Sequence, residues 1–334
     1  MSAKDGVAVV GGGAWGLALA AAAARTGKDV VVLTRRAHDS RALPSGVGQA
    51  RDAADVAARA RLIILAVPSS AARATARALS PHVDGRHLVV HGVRGLVGDG
   101  GSAPGAGRST PSTPGEMATI GDVVREETPV RRVGALGGPA LVDDLVAGRP
   151  SVLVCGSHFP EVNGAVSDAL THETLRLYTT ADRLGIEWAS ALVGCLAIGM
   201  GYAQGLGASP GLVAALLSRS VHEAARIAAA AGGDEKTLLG LGGYGDLLAA
   251  VGQERRPEVV LGRALATGMK LDAALAEAAQ RIEAVDLVPR VVAWAEKRNV
   301  RTPIFRALAS GVLSSRPASD ILHELMTGPL EAGI

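Results

Sequence analysis

The chain of 334 residues has few aromatic side chains: Phe, Trp and Tyr make up 2% of it. Bases and sugars are commonly held by stacking on such rings, so a stacking platform for nucleic acid is not expected. An excess of one charge is also missing. Lys+Arg 34 against Asp+Glu 32 leaves a net charge of +2, which implies neither nucleic acid nor an acidic surface as partner. Cysteine is scarce. Cys155 and Cys195 lie far apart in apolar surroundings. They form neither a disulfide framework nor a metal site, and read as buried structural thiols. Long apolar runs are absent as well. Stretches such as Leu192–Tyr202 are short and interrupted by glycine, so no bilayer span and no membrane partner are expected. The first six residues lead straight into a strand. No secretory leader is expected, and the location implied is cytoplasmic.

The most informative segment present is Val7-Ala8-Val9-Val10-Gly11-Gly12-Gly13-Ala14-Trp15-Gly16, followed by an alanine-rich run. A buried strand runs into G-x-G-x-x-G and then into a helix, the context in which the motif binds a dinucleotide. Gly11 permits the tight turn, Gly13 lets the backbone approach a pyrophosphate, and Gly16 lets the helix pack on the strand. The helix N-terminus offers free N–H groups and the positive end of its dipole.

Further strands are expected at Val30–Leu33, Leu62–Val67, Leu88–His91, Arg132–Leu136 and Ser151–Val154. Helices are expected between them at Leu17–Thr26, Arg51–Arg59 and Ser70–Leu79. Alternating short apolar strands and helices predict a Rossmann-like, doubly wound parallel sheet. The Gly/Ser/Pro-rich stretch Val97–Pro114 reads as a surface excursion. After about Thr180 only helical signals remain. They fall at Leu184–Gly205, from Ser209-Pro210 to Gly232-Gly233, and at Asp234–Leu239, Pro257–Ala266, Leu271–Gln280, Val285–Arg298, Ile304–Ser310 and Ala318–Met326. The expected division is a dinucleotide-binding domain at 1–183 and an all-helical substrate domain at 184–334. The small-residue helices leave a homodimer open, with packing inside the chain as the other explanation.

The cofactor is NADP or NAD. An NAD site usually has an acid at the end of the second strand. Here that strand ends Val32-Leu33-Thr34-Arg35-Arg36, with no acid. Arg35 and Arg36 suit a 2′-phosphate, and Thr34 suits a ribose or phosphate oxygen.

Several motifs together point to a family. They are Gly11-Gly12-Gly13-Ala14-Trp15-Gly16, Leu62-Ile63-Ile64-Leu65-Ala66-Val67-Pro68-Ser69, His91-Gly92-Val93-Arg94-Gly95, Gly137-Gly138-Pro139-Ala140 and Gly240-Leu241-Gly242-Gly243-Tyr244-Gly245-Asp246-Leu247. In this order they resemble NAD(P)-dependent glycerol-3-phosphate dehydrogenase, over essentially the whole chain. The resemblance implies hydride transfer between a nicotinamide and a small, phosphorylated alcohol or ketone. Gly11, Gly13, Ala14, Trp15, Gly16, Arg35 and Arg94 would serve the cofactor. So would Glu283, in the segment Gln280-Arg281-Ile282-Glu283. Arg94, Gly138, Asp246 and Arg256 would serve the substrate.

The chain departs from the family at the catalytic helix. The stretch Ser190-Ala191-Leu192-Val193-Gly194-Cys195 has Val193 where the family's proton-transferring lysine lies, and Gly194 in place of its asparagine. The family's second lysine is Arg94. Its serine-arginine-asparagine run falls near Arg256-Pro257-Glu258, with Arg255 the other arginine available. A positioned acid or base contributes about 10²–10⁴-fold to such a reaction, and valine supplies none. Asp246 and His91 are the candidates to carry the proton. His91 lies at a strand end, where ligands of open α/β sheets bind. Asp246 is read as lying between glycines in a turn. Tyr244 and His222 are weaker candidates. A catalytically impaired or repurposed member that binds nucleotide, or acts on another substrate, is the alternative.

Overall fold

The computed structural model describes residues 6–35, 43–98, 116–278, 282–314 and 316–327. Most of the Gly/Ser/Pro-rich stretch, Arg36 and the Gln280-Arg281 pair therefore lie outside the described residues. The chain divides into two units. One comprises Met1–Ser112 and Met117–Glu187; the other comprises Thr113–Glu116 and Trp188–Ile334. The division falls inside a helix, a few residues beyond the expected boundary after residue 183.

The first unit is built on an eight-stranded sheet. Its strands are β1 (Gly6–Val10), β2 (Val30–Leu33), β3 (Val47–Gln49), β4 (Ala60–Leu65), β5 (Leu88–His91), β8 (Val133–Gly137), β9 (Ser151–Gly156) and β10 (Leu175–Thr180). A separate antiparallel pair joins β6 (Val97–Gly98) to β7 (Met117–Ala118). The spatial order is β10-β9-β8-β5-β4-β1-β2-β3. Order reverses about β1, so the crevice at the carboxyl ends of β1 and β4 is the switch point where such sheets bind ligands.

Side chains alternate across the strands, which explains the double winding. Val7 and Val9 pack with α1 (Ala14–Ala24), α5 (Val142–Ala147) and α6 (Pro160–Leu170) on one face. Ala8 and Val10 pack with α2 (Ala53–Arg59), α3 (Ser69–Leu79) and α4 (Ile120–Glu127) on the other. The parallel expectation holds at every pairing of the large sheet but one: β8 and β9 are antiparallel. α1 begins at Ala14, three residues earlier than the alanine run indicates, because Trp15 and Gly16 form its first turn.

The second unit is helical among its described residues. α7 (Arg183–Gly205) enters it, followed by α8 (Pro210–Ala230) and α9 (Glu235–Leu239). A π-helical turn at Leu241–Gly245 leads into α10 (Asp246–Val251). Then come α11 (Pro257–Ala266), α12 (Leu271–Glu277), α13 (Glu283–Glu296), α14 (Pro303–Ala307), a second π turn at Leu308–Val312, and α15 (Ala318–Thr327). α7 begins one residue before the expected helix Leu184–Gly205. With 23 residues and a mean hydropathy of 1.5 in its most apolar window it could cross a membrane by length and composition, but 89% of that window is buried within the protein.

Small residues let α7 and α11 touch through their backbones. A Cβ on Gly201 would lie 2.3 Å from the Val259 carbonyl oxygen, and one on Gly262 would lie 2.0 Å from that of Ile198. These glycines pack inside the chain. Trp188 packs on Trp294 at 4.7 Å between ring centroids. Arg298 covers Trp294 and pairs with Glu116 at 2.7 Å. Glu223 accepts from the backbone N–H groups of Ile304 (2.9 Å) and Phe305 (2.8 Å), and so caps α14.

Candidate functional site

The glycine loop has the geometry its motif requires. Gly11 has φ +127°, and a Cβ on it would meet the Ala66 carbonyl oxygen at 2.2 Å. The loop therefore crosses the end of β4 at the switch point. A Cβ on Gly16 would meet the Gly11 carbonyl oxygen at 2.0 Å. Gly13 differs, because a Cβ there would meet nothing within 4 Å. The first intrahelical bond of α1 runs from Leu17 N–H to the Gly13 carbonyl at 2.9 Å. The N–H groups of Ala14, Trp15 and Gly16 stand ahead of it, at the positive end of the dipole. Open space before Gly13 together with these donors fits a dinucleotide pyrophosphate. Trp15 closes the loop from behind. Its Nε1 is buried with no hydrogen-bond partner among the described residues, and a Cβ on Gly92 would lie 2.5 Å from it. Thr34 and Arg35 follow β2, and Arg35 is exposed. Gly138 follows β8 with φ +100°, a conformation open chiefly to glycine. Arg94 is half-buried in the segment after β5.

His91 does not stand at an exposed strand end. It is 2% exposed, and both ring nitrogens are engaged. Nε2 lies 2.8 Å from Glu187 Oε1, and Nδ1 accepts from Val93 N–H at 3.4 Å. The same Glu187 oxygen accepts from Gly121 N–H at 2.7 Å, and its other oxygen pairs with Arg183. Arg183 also donates to Thr119 Oγ1 (3.0 Å) and Asp122 Oδ1 (2.9 Å). Buried charges persist only when paired and hydrogen-bonded. This network meets that condition, and His91 is part of it. Sequence alone signals the Arg183–Glu187 pair by its i,i+4 spacing. It gives no sign that His91, 96 positions away in the chain, joins it.

The second unit carries the remaining candidates and brings Asp246 and Arg256 together. Asp246 is the first residue of α10 and is 1% exposed, so it does not lie in a glycine turn as expected. The π turn before it takes up the glycines. Arg256 is the N-cap of α11 and is 8% exposed, with its Nη1 3.7 Å from Asp246 Oδ1. Its Nε donates to Glu258 Oε2 at 3.0 Å. Glu283 opens α13, and the Cβ of the next residue, Ala284, would lie 3.7 Å from a Cβ on Gly194. Val193 is 2% exposed on α7. Tyr244 is exposed in the π turn, and Arg255 is exposed beside Arg256. His222 is bound through Nδ1 to the Ser218 carbonyl at 2.9 Å, one turn back on α8. Both cysteines are buried, as expected.

Two models of NAD-dependent glycerol-3-phosphate dehydrogenase match this chain, the N-terminal one over residues 6–162 and the C-terminal one over residues 182–323. Glycerol-3-phosphate dehydrogenase [NAD(P)+] of Moorella thermoacetica is 30% identical, over 98% of this chain and 97% of the relative. The chain belongs to this family. The enzyme of the same name from Nitratidesulfovibrio vulgaris strain DP4 is 29% identical, over 97% of this chain and 98% of its own. Among solved structures, glycerol-3-phosphate dehydrogenase of Coxiella burnetii has the same fold, with a TM-score of 0.82 and 24% identity over 97% of this chain and 99% of that one. The dehydrogenase family thus accounts for the glycine loop, the sheet order and the helical second unit together.

Proposed function

We propose that this chain is an NAD(P)-dependent oxidoreductase acting on the CH–OH group of a small three-carbon alcohol. The pair it would interconvert is glycerol 3-phosphate and dihydroxyacetone phosphate. Family membership over nearly the whole chain carries this reading, and the open cradle at Gly13 supports it. The cofactor would supply or accept the hydride. Gly11, Gly13, Ala14, Trp15 and Gly16 would hold its pyrophosphate. Arg35 at the end of β2 favours NADP(H) over NAD(H), since a guanidinium pairs with a 2′-phosphate. Arg94, Gly138, Asp246 and Arg256 are the proposed substrate groups.

A specific observation favours a second reading. Neither Val193 nor Gly194 can transfer a proton from its turn of α7. A family member that binds the cofactor without turning over a three-carbon phosphate, or that acts on another alcohol, would show this pattern. Steady-state assays with dihydroxyacetone phosphate and NADPH or NADH separate the two. Turnover supports the first reading. Cofactor binding by calorimetry without turnover across a panel of ketones supports the second.

A further inference from the structure

At the turn of α7 that carries Val193 and Gly194, no side chain of the helix can exchange a proton. Val193 is apolar and Gly194 has no side chain. Burial pushes the Cys195 thiol above its ordinary range, and the charge of Glu258 adds to that shift. The space over Gly194 is nevertheless filled by a polar group from another helix. A Cβ on Gly194 would lie 3.6 Å from Glu258 Oε1. The close approach of α7 and α11 at Gly201 and Gly262 brings the start of α11, and Glu258 with it, onto this turn. Glu258 Oε2 is held by Arg256 Nε at 3.0 Å. That leaves Oε1 facing Gly194 with no hydrogen bond among the described residues. Arg256 touches two carboxylates that differ in access: the Asp246 side chain is 1% exposed and that of Glu258 is 20% exposed. Only Glu258 combines an available oxygen with a path for protons to water.

We propose that Glu258 is the proton acceptor of the reaction and takes the role that α7 leaves vacant. This rests on the oxidoreductase reading above. In alcohol oxidation the substrate O–H bond breaks and the proton passes to Glu258 Oε1. The C=O bond forms as the carbon gives up its hydride, which a nicotinamide cofactor held at the Gly11, Gly13 and Gly16 loop would accept. Glu258 then returns its proton to water. Ketone reduction runs the same transfers in reverse, with protonated Glu258 as donor. The charged and titratable groups placed against it are Arg256 beside it, Asp246 of α10 through Arg256, and Cys195 of α7.

The test uses the full chain with NAD(P)+ bound. Glu258→Gln keeps the shape and an acceptor oxygen for Arg256 but cannot take a proton. It is expected to lower kcat for alcohol oxidation by about 10²-fold or more, with cofactor Kd by fluorescence titration unchanged. Glu258→Asp is expected to keep part of the activity. The limb of log kcat that rises with pH should vanish in Glu258→Gln. A readout that needs no turnover is carboxyl ¹³C NMR of the cofactor complex. The resonance missing in Glu258→Gln should move when dihydroxyacetone phosphate is added. Glu258→Gln within threefold of wild type with an unchanged pH limb, or a resonance that stays put, overturns the proposal alone. A wild-type protein that binds cofactor but turns over no alcohol or ketone overturns the oxidoreductase reading, and this proposal with it.

Discussion

Gly11, Gly13 and Gly16 share one loop but face different surroundings, and a methyl group added at each separates folding from binding. At Gly11 the new Cβ would lie 2.2 Å from the Ala66 carbonyl, and at Gly16 it would lie 2.0 Å from the Gly11 carbonyl. Both neighbours are backbone, which cannot swing aside, so Gly11→Ala and Gly16→Ala are expected to disrupt the β1–α1 unit. At Gly13 no atom lies within 4 Å of the new Cβ, and φ is −77°, which alanine adopts freely. Gly13→Ala is therefore expected to fold. It should gain about 0.4–1 kcal/mol because alanine restricts the unfolded chain more than glycine does. The same methyl group projects into the space ahead of the first-turn N–H groups of α1. A pyrophosphate seated there must retreat and lose a charge-assisted hydrogen bond, at a cost of about 1.5–3 kcal/mol, or roughly 10–150-fold in Kd. Differential scanning fluorimetry and NADPH fluorescence titration on the same preparation read both effects. A raised Tm with a Kd within twofold of wild type would show that the pyrophosphate does not lie at Gly13. A Tm lowered by several degrees would refute the argument from open space.

Three further perturbations follow from buried and paired groups. Glu187→Gln removes the charge that joins His91, Gly121 and Arg183. Breaking a buried pair from one side costs about 3–5 kcal/mol, so the urea midpoint should drop sharply; an unchanged midpoint refutes the assignment. Burial pushes the Cys155 thiol up to about 12 and the Cys195 thiol above its ordinary range. Ellman's reagent at neutral pH should label neither in the native protein and both in urea, and rapid native labelling of either would count against their burial. The third concerns acid stability. Hydrogen bonding from Arg77, and then from Arg73, holds the Glu127 carboxyl below its usual range. A depressed folded pKa stabilises the protein above the ordinary carboxylate value, and that stability is lost as pH falls through the folded pKa. The Tm gap between wild type and Glu127→Gln should be full at pH 7 and shrink as pH falls below the ordinary glutamate range. A gap that persists there would be inconsistent with the linkage.

What could be read from sequence is what depends on near neighbours in the chain. The strand, glycine loop and helix at residues 6–24 are one continuous unit, so spacing alone reveals their joint geometry. The same holds for Ser209 as the N-cap of α8, whose side chain accepts from Leu212 N–H. Some elements give weaker local signals: α4 and α5 are only eight and six residues long, and β10 is largely exposed. The antiparallel pairing of β8 with β9 is a choice of partner and direction that no local pattern encodes. The site divides along the same line. Asp246 and Arg256 were legible one at a time, from the G-x-G-D-L run and from the basic run before α11, but Glu258 was not. Its role depends on Gly194, 64 positions earlier (258 − 194). The two meet only because Gly201 and Gly262 let the α7 and α11 backbones touch. The resemblance to the family implies what Val193 and Gly194 replace, but not what stands in the space they leave. Loss of a side chain at Gly194 and the presence of a carboxylate at Glu258 are complementary. A Cβ at 194 would lie in ordinary contact with Glu258 Oε1 at 3.6 Å, and the carboxamide of an asparagine would have to share the space beyond it. Reverting only one half of that exchange therefore tests it. Gly194→Asn is expected to displace Glu258 and lower kcat without altering cofactor Kd, and pairing it with Glu258→Gln should add little further loss. Two losses that multiply would mean that the residues act independently.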